Sequence, residues 1–336
     1  LVCSLGHNPS ETWDALLSGK HGIKPIKEFD AQGFQCKVAA LVEGLDHLSL
    51  GVRPRDARLM DKHSYMLLKC TRDAFTQSRL DKSSLPGEDI GFFAGMGMVD
   101  YKVEDIIPSV MKSSDSKCNL DYNSFYSGGY QEIHPLWPLS MLNNITFCQV
   151  AIDLNLKGEN AVFSPHSDSG VQAIVEGINA IRDKKIKAVL AGGVSEKVSP
   201  LSIARAHLFK ILSTSVNDGE MLCRPFASDR NGTILGEGCG ILALESRSSA
   251  NKRNALPFAS VIGYGFAFES EEEFSGPTSR AISQAMKESL DSAEINPSDI
   301  DVIIAHGDGT FIGDKNEIEA IHEVFSNCLN KVNVFS

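Results

Sequence analysis

A turn with the sequence F-S-P-H-S-D-S-G-V (163–171) has the residue types for acyl-transfer chemistry. Ser167 stands just before a predicted helix, where unpaired backbone N–H groups and the helix dipole stabilise negative charge. A nucleophile or an oxyanion of an acyl-transfer enzyme would occupy such a place. Local sequence alone favours a structural role, because Ser167, Asp168 and Ser169 are all good N-cap residues. The G-x-S-x-G elbow of serine hydrolases does not fit, since Pro165 replaces the first glycine.

A second turn, A-H-G-D-G-T (305–310), follows a predicted buried strand. Its His306 would stand at the carboxyl end of a parallel strand, where open α/β sheets bind their ligands. Histidine is the residue type that exchanges protons near neutral pH, and it also donates hydrogen bonds to oxyanions. The structural alternative is a histidine held by the backbone of its own turn, and location alone does not separate the two.

The glycine-rich stretch 224–240 is a third candidate. Its glycine density predicts tight turns and close backbone approach. A phosphate-binding loop is the functional alternative, but the G-x-x-x-x-G-K-[ST] pattern is absent. The run G-E-G-C-G (236–240) does not open a helix after a strand, so a dinucleotide-binding fingerprint is not indicated either. Structural turns are therefore the preferred interpretation.

Continuous apolar runs that end in glycine predict buried strands in a sheet covered on both faces. They lie at 90–95, 161–163, 187–193 and 302–307. Elsewhere an apolar residue recurs at steps of three and four, at Val171, Ile174, Ile178 and Ile181. That spacing predicts a helix with one apolar stripe. The alternation of strands and helices predicts an α/β fold with mainly parallel pairing.

A faint internal repeat predicts that the fold is duplicated. Residues 64–97 and 280–309 each contain a helical pattern, then L-P-G-E-D-I or I-N-P-S-D-I, then an apolar run that ends in glycine. A repeat of this long period is not a solenoid. Two α/β halves packed back to back are the expected solution.

The seam between the halves is expected in the polar stretch 246–254. This stretch separates a predicted strand at 240–244 from another at 258–263. The halves are then 1–248 and 255–336. Because the second is much shorter than the first and the chain starts on what looks like a strand end, we expect a fold that is incomplete at both ends.

Composition excludes several classes of protein. The chain has 336 residues, is 42% hydrophobic and carries a net charge of −11, which argues against disorder and against a nucleic-acid-binding surface. No apolar run reaches the ~18–20 residues of a membrane span. The 8 cysteines lack a C-x-x-C pair, so we expect reduced thiols and a cytoplasmic location. The 9 histidines lack metal-binding spacing, and no metal is expected.

Several short segments stand out along the chain: L-G with E-T-W-D-A-L-L-S-G-K-H-G-I (5–23), P-L-S-M-L-N-N and L-K-G-E-N (138–160), A-G-G (191–193), R-P-F with D-R-N-G and G-E-G (224–238), and A-H-G-D-G-T with G-D-K-N-E (305–317). In this order they resemble the β-ketoacyl-acyl carrier protein synthases (ketosynthases) of the thiolase-like superfamily. The resemblance covers essentially the whole chain. It implies a thiolase-like α/β fold, two duplicated halves in a layered α-β-α-β-α arrangement.

The resemblance also implies site residues. Counted without gaps from Gly158 to Gly170, the family's nucleophilic cysteine corresponds to Ser167, and His306 and Glu317 correspond to its first catalytic histidine and its downstream acidic residue. The family's second histidine and its lysine would lie beyond Ser336. No cofactor is implied.

Further differences surround the family's nucleophile position. Pro165 and His166 replace small residues, Asp168 adds a carboxylate, and Asp308 stands where threonine is common. This pattern resembles the chain-length factor, the non-condensing subunit of type II polyketide systems. The leading hypothesis is therefore a non-condensing subunit of fatty acid or polyketide assembly that partners an active ketosynthase.

Two alternatives stay open. In one, Ser167 accepts an acyl group from an acyl carrier protein, as in an acyltransferase or esterase, and His306 supports the oxyanion. In the other, the chain is a homodimeric scaffold without acyl chemistry. The expected partners are an acyl carrier protein, which presents acyl-phosphopantetheine, and either a second copy or a ketosynthase in a dimer.

Overall fold

A computed structural model of the chain describes residues 1–97, 100–164, 167–195, 197–214, 222–269 and 276–336. The strands are β1 (Val2–Cys3), β2 (Ile23–Pro25), β3 (Val38–Ala40), β4 (Ile90–Met96), β5 (Asn160–Phe163), β6 (Ala188–Val194), β7 (Gly238–Glu245), β8 (Val302–Ile304) and β9 (Asn333–Phe335). The helices are α1 (Pro9–Leu17), α2 (Pro54–Ala57), α3 (Lys62–Gln77), α4 (Ile107–Lys112), α5 (Tyr122–Ser127), α6 (Trp137–Ser140), α7 (Asn143–Asp153), α8 (Ser169–Arg182), α9 (Pro200–Leu208), α10 (Arg247–Lys252), α11 (Ser279–Ala293) and α12 (Phe311–Phe325). None of the described helices is long and apolar enough to cross a bilayer.

These elements form two compact units, each assembled from several stretches of chain. The first unit comprises 1–21, 41–202 and 236–255. The second comprises 22–40, 203–235 and 256–336. The division into halves at 1–248 and 255–336 stays a prediction.

The first unit is built on a five-stranded sheet in the order β1-β7-β6-β4-β5. Strand β4 pairs in parallel with β5 and β6, as the glycine-ended apolar runs predict. The expectation of mainly parallel pairing is wrong at the other edge, because β7 runs antiparallel to β6 and β1 antiparallel to β7. The sheet is therefore mixed.

Both faces of this sheet are covered. On one face α3 and α7 pack against β4, β6 and β7, and the rings of Phe92 and Phe147 stack at a centroid distance of 4.3 Å. On the other face α8 packs against β4 and β6. The two cores explain why these strands are apolar along their whole length rather than alternating.

Helix α8 confirms the predicted helix, but its contact face differs from the predicted stripe. Val171 is exposed, whereas Ala173, Gly177 and Ala180 are buried. A Cβ on Gly177 would lie 2.7 Å from Cγ1 of Val189, so glycine is required for this approach. Small residues let the helix axis lie close to the sheet. Ile174 and Ile181 of the predicted stripe are partly buried and pack against the same core.

The second unit contains the hairpin of β2 and β3, the parallel pair β8 and β9, and the helices α11 and α12. Helices α11 and α12 pack around a core that includes Leu290, Ile321 and Phe325. The helix–turn–strand order predicted from the repeat is found in both units. Helix α3, a 3₁₀ turn at Gly87–Asp89 and β4 provide it in the first unit, and α11, a 3₁₀ turn at Pro297–Asp299 and β8 provide it in the second.

The region of the predicted seam differs from expectation in two ways. Residues 246–254 are not an open linker, because most of them form α10, and Arg253 after it pairs with Glu245 at 2.7 Å. The strand predicted at 258–263 is not a strand in the structure. Gly263 in this stretch lies against α11 instead, since a Cβ there would lie 2.5 Å from the Ser289 carbonyl oxygen. Slightly further on, the Phe266 N–H donates to the Glu288 carboxylate at 3.3 Å.

Candidate functional site

Ser167 lies in a two-residue turn before α8, in the first unit. Strand β5 ends at Phe163 and α8 begins at Ser169, so the carboxyl end of a parallel strand leads into a helix N-terminus. The Ser167 side chain is exposed. Pro165 and His166, which precede it, lie outside the described residues.

The capping interpretation of this turn is not supported for Asp168. Asp168 occupies the N-cap position of α8, but its side chain makes no capping hydrogen bond. Its carboxylate accepts instead from the Gln172 side-chain amide at 2.6 Å. The start of α8 is thus not capped by this carboxylate.

Glycines hold the start of α8 close to the sheet. A Cβ on Gly95 in β4 would lie 2.3 Å from the Gly170 nitrogen, and a Cβ on Gly193 in β6 would lie 3.2 Å from the Gly170 Cα. Such contacts are possible only because these positions have no side chain. The turn that carries Ser167 is therefore positioned by backbone-to-backbone packing.

Asn143, a residue that sequence reasoning missed, contacts the strand that leads into this turn. It donates to the Gly97 carbonyl oxygen at 3.0 Å and to the Ser164 hydroxyl at 3.1 Å. The local sequence around Asn143 does not predict these contacts, because they join segments that are far apart in the chain.

His306 follows β8 in the second unit, and its side chain is exposed. Its backbone N–H donates to Oε1 of Glu317 at 2.7 Å, and the N–H of Gly307 donates to Oε2 at 2.9 Å. Gly307 has a left-handed φ of 50°. One carboxylate therefore fixes two successive N–H groups of the turn, and the structure brings His306 and Glu317 together.

Glu317 reaches this turn from α12, where it is buried. Both of its oxygens accept from backbone N–H groups, so the carboxylate holds the conformation of the turn rather than presenting a free acid. We regard Glu317 as a positioning residue for His306. Asp308, in the same turn, accepts from the Thr310 N–H at 2.7 Å and so stabilises the start of α12 locally.

A second carboxylate on α12, Asp314, was not singled out as a site residue by the sequence. It is fully buried and accepts from the N–H groups of Phe226 at 2.7 Å and Gly309 at 3.0 Å. The guanidinium of Arg230 pairs with it at 3.2 Å. Phe226 has a left-handed φ of 63°, which Asp314 helps to hold. The turns of the stretch 224–235 are thus structural, as predicted.

The G-E-G motif further along is structural as well, within the first unit. The Glu237 carboxylate accepts from the N–H groups of Val42 and Val198, each at 3.0 Å. Lys62 pairs with it at 2.6 Å. A buried carboxylate with three partners needs no ligand to be satisfied.

The thiol of Cys239 lies in the core of the first unit. Burial raises its pKa well above the ordinary value, with a smaller contribution from Cys70. The Cys70 thiol donates to the Cys239 carbonyl oxygen at 3.3 Å. A buried thiol with a raised pKa is a poor nucleophile.

No group of three or more His, Cys, Asp or Glu side chains that could hold a metal ion occurs among the described residues. The arrangement as a whole offers an exposed hydroxyl at a helix start in one unit and an exposed imidazole on a rigid turn in the other.

Two family models match the chain. The model of the N-terminal domain of β-ketoacyl synthase matches residues 1–250. The model of the C-terminal domain of β-ketoacyl synthase matches residues 258–336.

Similar individual proteins are known. The 3-oxoacyl-[acyl-carrier-protein] synthase 2 of Staphylococcus aureus is 27% identical, over 99% of this chain and 79% of the relative. The protein of the same name from Coxiella burnetii is 29% identical, over 100% of this chain and 78% of the relative. Among solved structures, the ishigamide ketosynthase/chain length factor matches with a TM-score of 0.82 and 25% identity, over 99% of this chain and 77% of that chain.

Proposed function

Because the chain belongs to the β-ketoacyl synthase family, we propose that it is a ketosynthase-like subunit of fatty acid or polyketide assembly that does not form carbon–carbon bonds itself. It pairs with an active ketosynthase and shapes the acyl tunnel, as a chain-length factor does. The observation that carries the proposal is the serine at position 167, in the turn where the family resemblance predicts a cysteine.

A hydroxyl at position 167 is a weaker nucleophile than the thiol that the family resemblance predicts there. A cysteine at a helix N-terminus loses its proton near neutral pH and attacks as a thiolate. A serine hydroxyl stays protonated and needs a general base to become comparably nucleophilic. The carboxylate of Asp168, next to Ser167, adds negative charge that disfavours an alkoxide. A substitute thiol is not offered by Cys239, which is buried in the core.

The proposed carrier of the acyl group is an acyl carrier protein. The two curated relatives are named for synthesis on an acyl carrier protein. The solved ishigamide protein is named as a ketosynthase/chain length factor, which supports pairing of a ketosynthase with a non-condensing subunit.

Co-expression with the ketosynthase encoded beside this gene tests the proposal. We expect the two chains to co-elute as a heterodimer in size-exclusion chromatography, and the complex to yield a product length that the ketosynthase alone does not yield. The purified chain alone should yield no β-ketoacyl product from malonyl and acyl carrier thioesters. Elongation by the chain alone, or migration only as a self-associated species, would contradict the proposal.

A second candidate function is acyl transfer to Ser167. The observation in its favour is the exposure of this hydroxyl at the start of the 14-residue helix α8, where an oxyanion would be stabilised. Intact-mass analysis after incubation with acyl carrier thioesters should then show an acyl adduct that Ser167→Ala lacks. Equal adducts on both proteins, or none on either, would exclude this function. Failure of the carrier protein to bind would favour a homodimeric scaffold over both functions.

A further inference from the structure

Asn143 lies at the start of α7, where its side chain contacts two segments outside the helix. It is the first residue of α7, and the N-cap residue before it, Leu142, has no capping side chain. Asparagine is among the best N-cap residues. Asn143 lies one residue past the N-cap position, and its side-chain amide donates to partners outside α7 instead.

The contact is a closed triangle of hydrogen bonds. The Asn143 side-chain amide donates one N–H to the Gly97 carbonyl oxygen at 3.0 Å and the other to the Ser164 hydroxyl at 3.1 Å. The Ser164 hydroxyl itself donates to the Gly97 carbonyl oxygen at 3.2 Å. Gly97 directly follows β4 and Ser164 directly follows β5. The triangle therefore fastens the carboxyl ends of two neighbouring parallel strands to the start of α7.

Both flanks of the Ser167 turn depend on this end of β4. Upstream, Ser164 is the last described residue before the turn and belongs to the triangle. Downstream, the start of α8 rests on Gly95, where a Cβ would lie 2.4 Å from the Ser169 carbonyl carbon. Gly95 and Gly97 are next-but-one neighbours in sequence, so fixing one restricts the other.

We propose that Asn143 is the positioning residue of the Ser167 turn: through Gly97 and Ser164 it sets where the side chain at position 167 stands relative to the N-terminus of α8. The inference rests on the proposed function, in which position 167 corresponds to the family's nucleophile. The field of a helix terminus falls off within its first turn, so a small displacement changes the electrostatics at position 167.

A cysteine introduced at position 167 makes this field measurable. In Ser167→Cys, the rate of iodoacetamide labelling at position 167 is followed against pH by peptide mass spectrometry, which yields the pKa of the introduced thiol. We expect the N-terminus of α8 to lower this pKa below about 8.5, the value of a free cysteine. Adding Asn143→Ala should move it back toward that value by about half a pH unit or more, because the turn is no longer fixed.

Matched variants separate positioning from general damage. Asn144→Ala, at the exposed neighbouring position of α7, should leave the pKa unchanged. Asn143→Asp keeps the shape but cannot donate to Gly97, so it should act like Asn143→Ala. Ser164→Ala should shift the pKa and Ser164→Thr, which keeps the hydroxyl, should restore it. Labelling of the buried Cys70 and Cys239 reports loosening of the first unit, and we expect none.

The outcomes distinguish this inference from the proposed function. If the thiol introduced at position 167 has an ordinary pKa, this would count against the proposal that position 167 corresponds to the family's nucleophile. A displaced pKa that Asn143→Ala and Asn143→Asp leave in place would overturn the positioning role alone. A shift that comes with labelling of Cys70 and Cys239 would show unfolding instead and would also count against the role.

Discussion

The two candidate turns are held by different physical means. The His306 turn and its neighbourhood are held by charge, because Glu317 and Asp314 accept from four backbone N–H groups. The Ser167 turn is held by close packing, because α8 rests on Gly95 and its N-cap carboxylate does not cap. Carboxylate changes should therefore damage one turn, and changes of side-chain size should damage the other.

The largest effect is expected for Asp314→Ala. The change removes the carboxylate that pairs with the Arg230 guanidinium, which is 9% exposed, and leaves this cation only its backbone carbonyl acceptors. It also frees two backbone N–H groups. Removing one partner of a buried ion pair costs about 3–5 kcal/mol in the free energy of unfolding. Urea unfolding measures this loss, and Glu319→Ala on the exposed side of α12 is the control. A loss below about 1 kcal/mol would mean that packing, not charge, holds this region.

The packed turn should respond most to Gly95→Ala. The added methyl group would lie 2.3 Å from the Gly170 nitrogen, and backbone on both sides cannot yield easily. We expect a loss of about 3 kcal/mol, the upper end of ordinary overpacking. Gly240→Ala, whose Cβ meets nothing within 4 Å, is the matched control in the same sheet. Equal urea midpoints for the two variants would refute the close contact.

A smaller loss is expected for Glu317→Gln. The amide can accept from only one of the two N–H groups that the carboxylate now serves, so the other loses its partner. An unsatisfied buried donor costs about 1–3 kcal/mol, and we expect the lower half of that range. Chemical denaturation with Glu319→Gln as the control gives the difference. A stability equal to that of the control would show that the turn keeps its shape without Glu317.

Acid should act on the first unit through Asp61, which caps α3. Burial raises the pKa of Asp61, but the hydrogen bond and charge of His63 and the charge of Lys197 outweigh burial, so the pKa lies well below its usual range. The stabilisation is complete above the unfolded value of about 3.9 and is lost as the pH falls below it. Both tryptophans, Trp13 and Trp137, lie in this unit, so their fluorescence follows its unfolding. In Asp61→Asn, the free energy of unfolding should fall less steeply as the pH falls below about 3.9. An unchanged dependence on pH would argue against this role of Asp61.

The smallest effect is expected for Asp168→Ala. Because Asp168 makes no capping bond, its loss should change the free energy of unfolding by less than about 0.5 kcal/mol. Asn8→Ala is the contrasting variant, since Asn8 accepts from the Glu11 N–H at 2.9 Å and caps α1, a contact worth about 1 kcal/mol. If Asp168→Ala cost as much as Asn8→Ala in the same assay, a carboxylate would help to hold the Ser167 turn as well. The Ser167 and His306 turns would then not differ in how they are held.

Sequence patterns predicted the parts of the fold that leave a local signature. The apolar runs at β4, β5 and β6 and the collinear motifs of the thiolase-like fold are confirmed. The antiparallel direction of β7 leaves no periodic signature, because a strand alternates in the same way in either direction. The apolar run at 258–263 resembles a strand, but it is not one in the structure, where Gly263 lies against α11.

The contacts of the candidate site residues could not be predicted from the sequence. Glu317 was predicted from the family resemblance. Its hydrogen bonds with the N–H groups of His306 and Gly307 could not be predicted from the sequence. Asp314 was missed, although two carboxylates three residues apart lie on one helix face and follow a glycine-rich turn. The roles of Ser167, His306 and Glu317 in acyl chemistry stay predictions.

The small-residue face of α8 has a consequence for how this protein can change. At Gly177 the spacing between helix and sheet is set by a missing methyl group, since a Cβ there would meet Val189 at 2.7 Å. A substitution at Gly177 would therefore shift α8 relative to the sheet. The shift would also move the hydroxyl of Ser167, ten positions earlier in the chain. A change inside the core would then displace this hydroxyl without altering any residue of the turn that carries it.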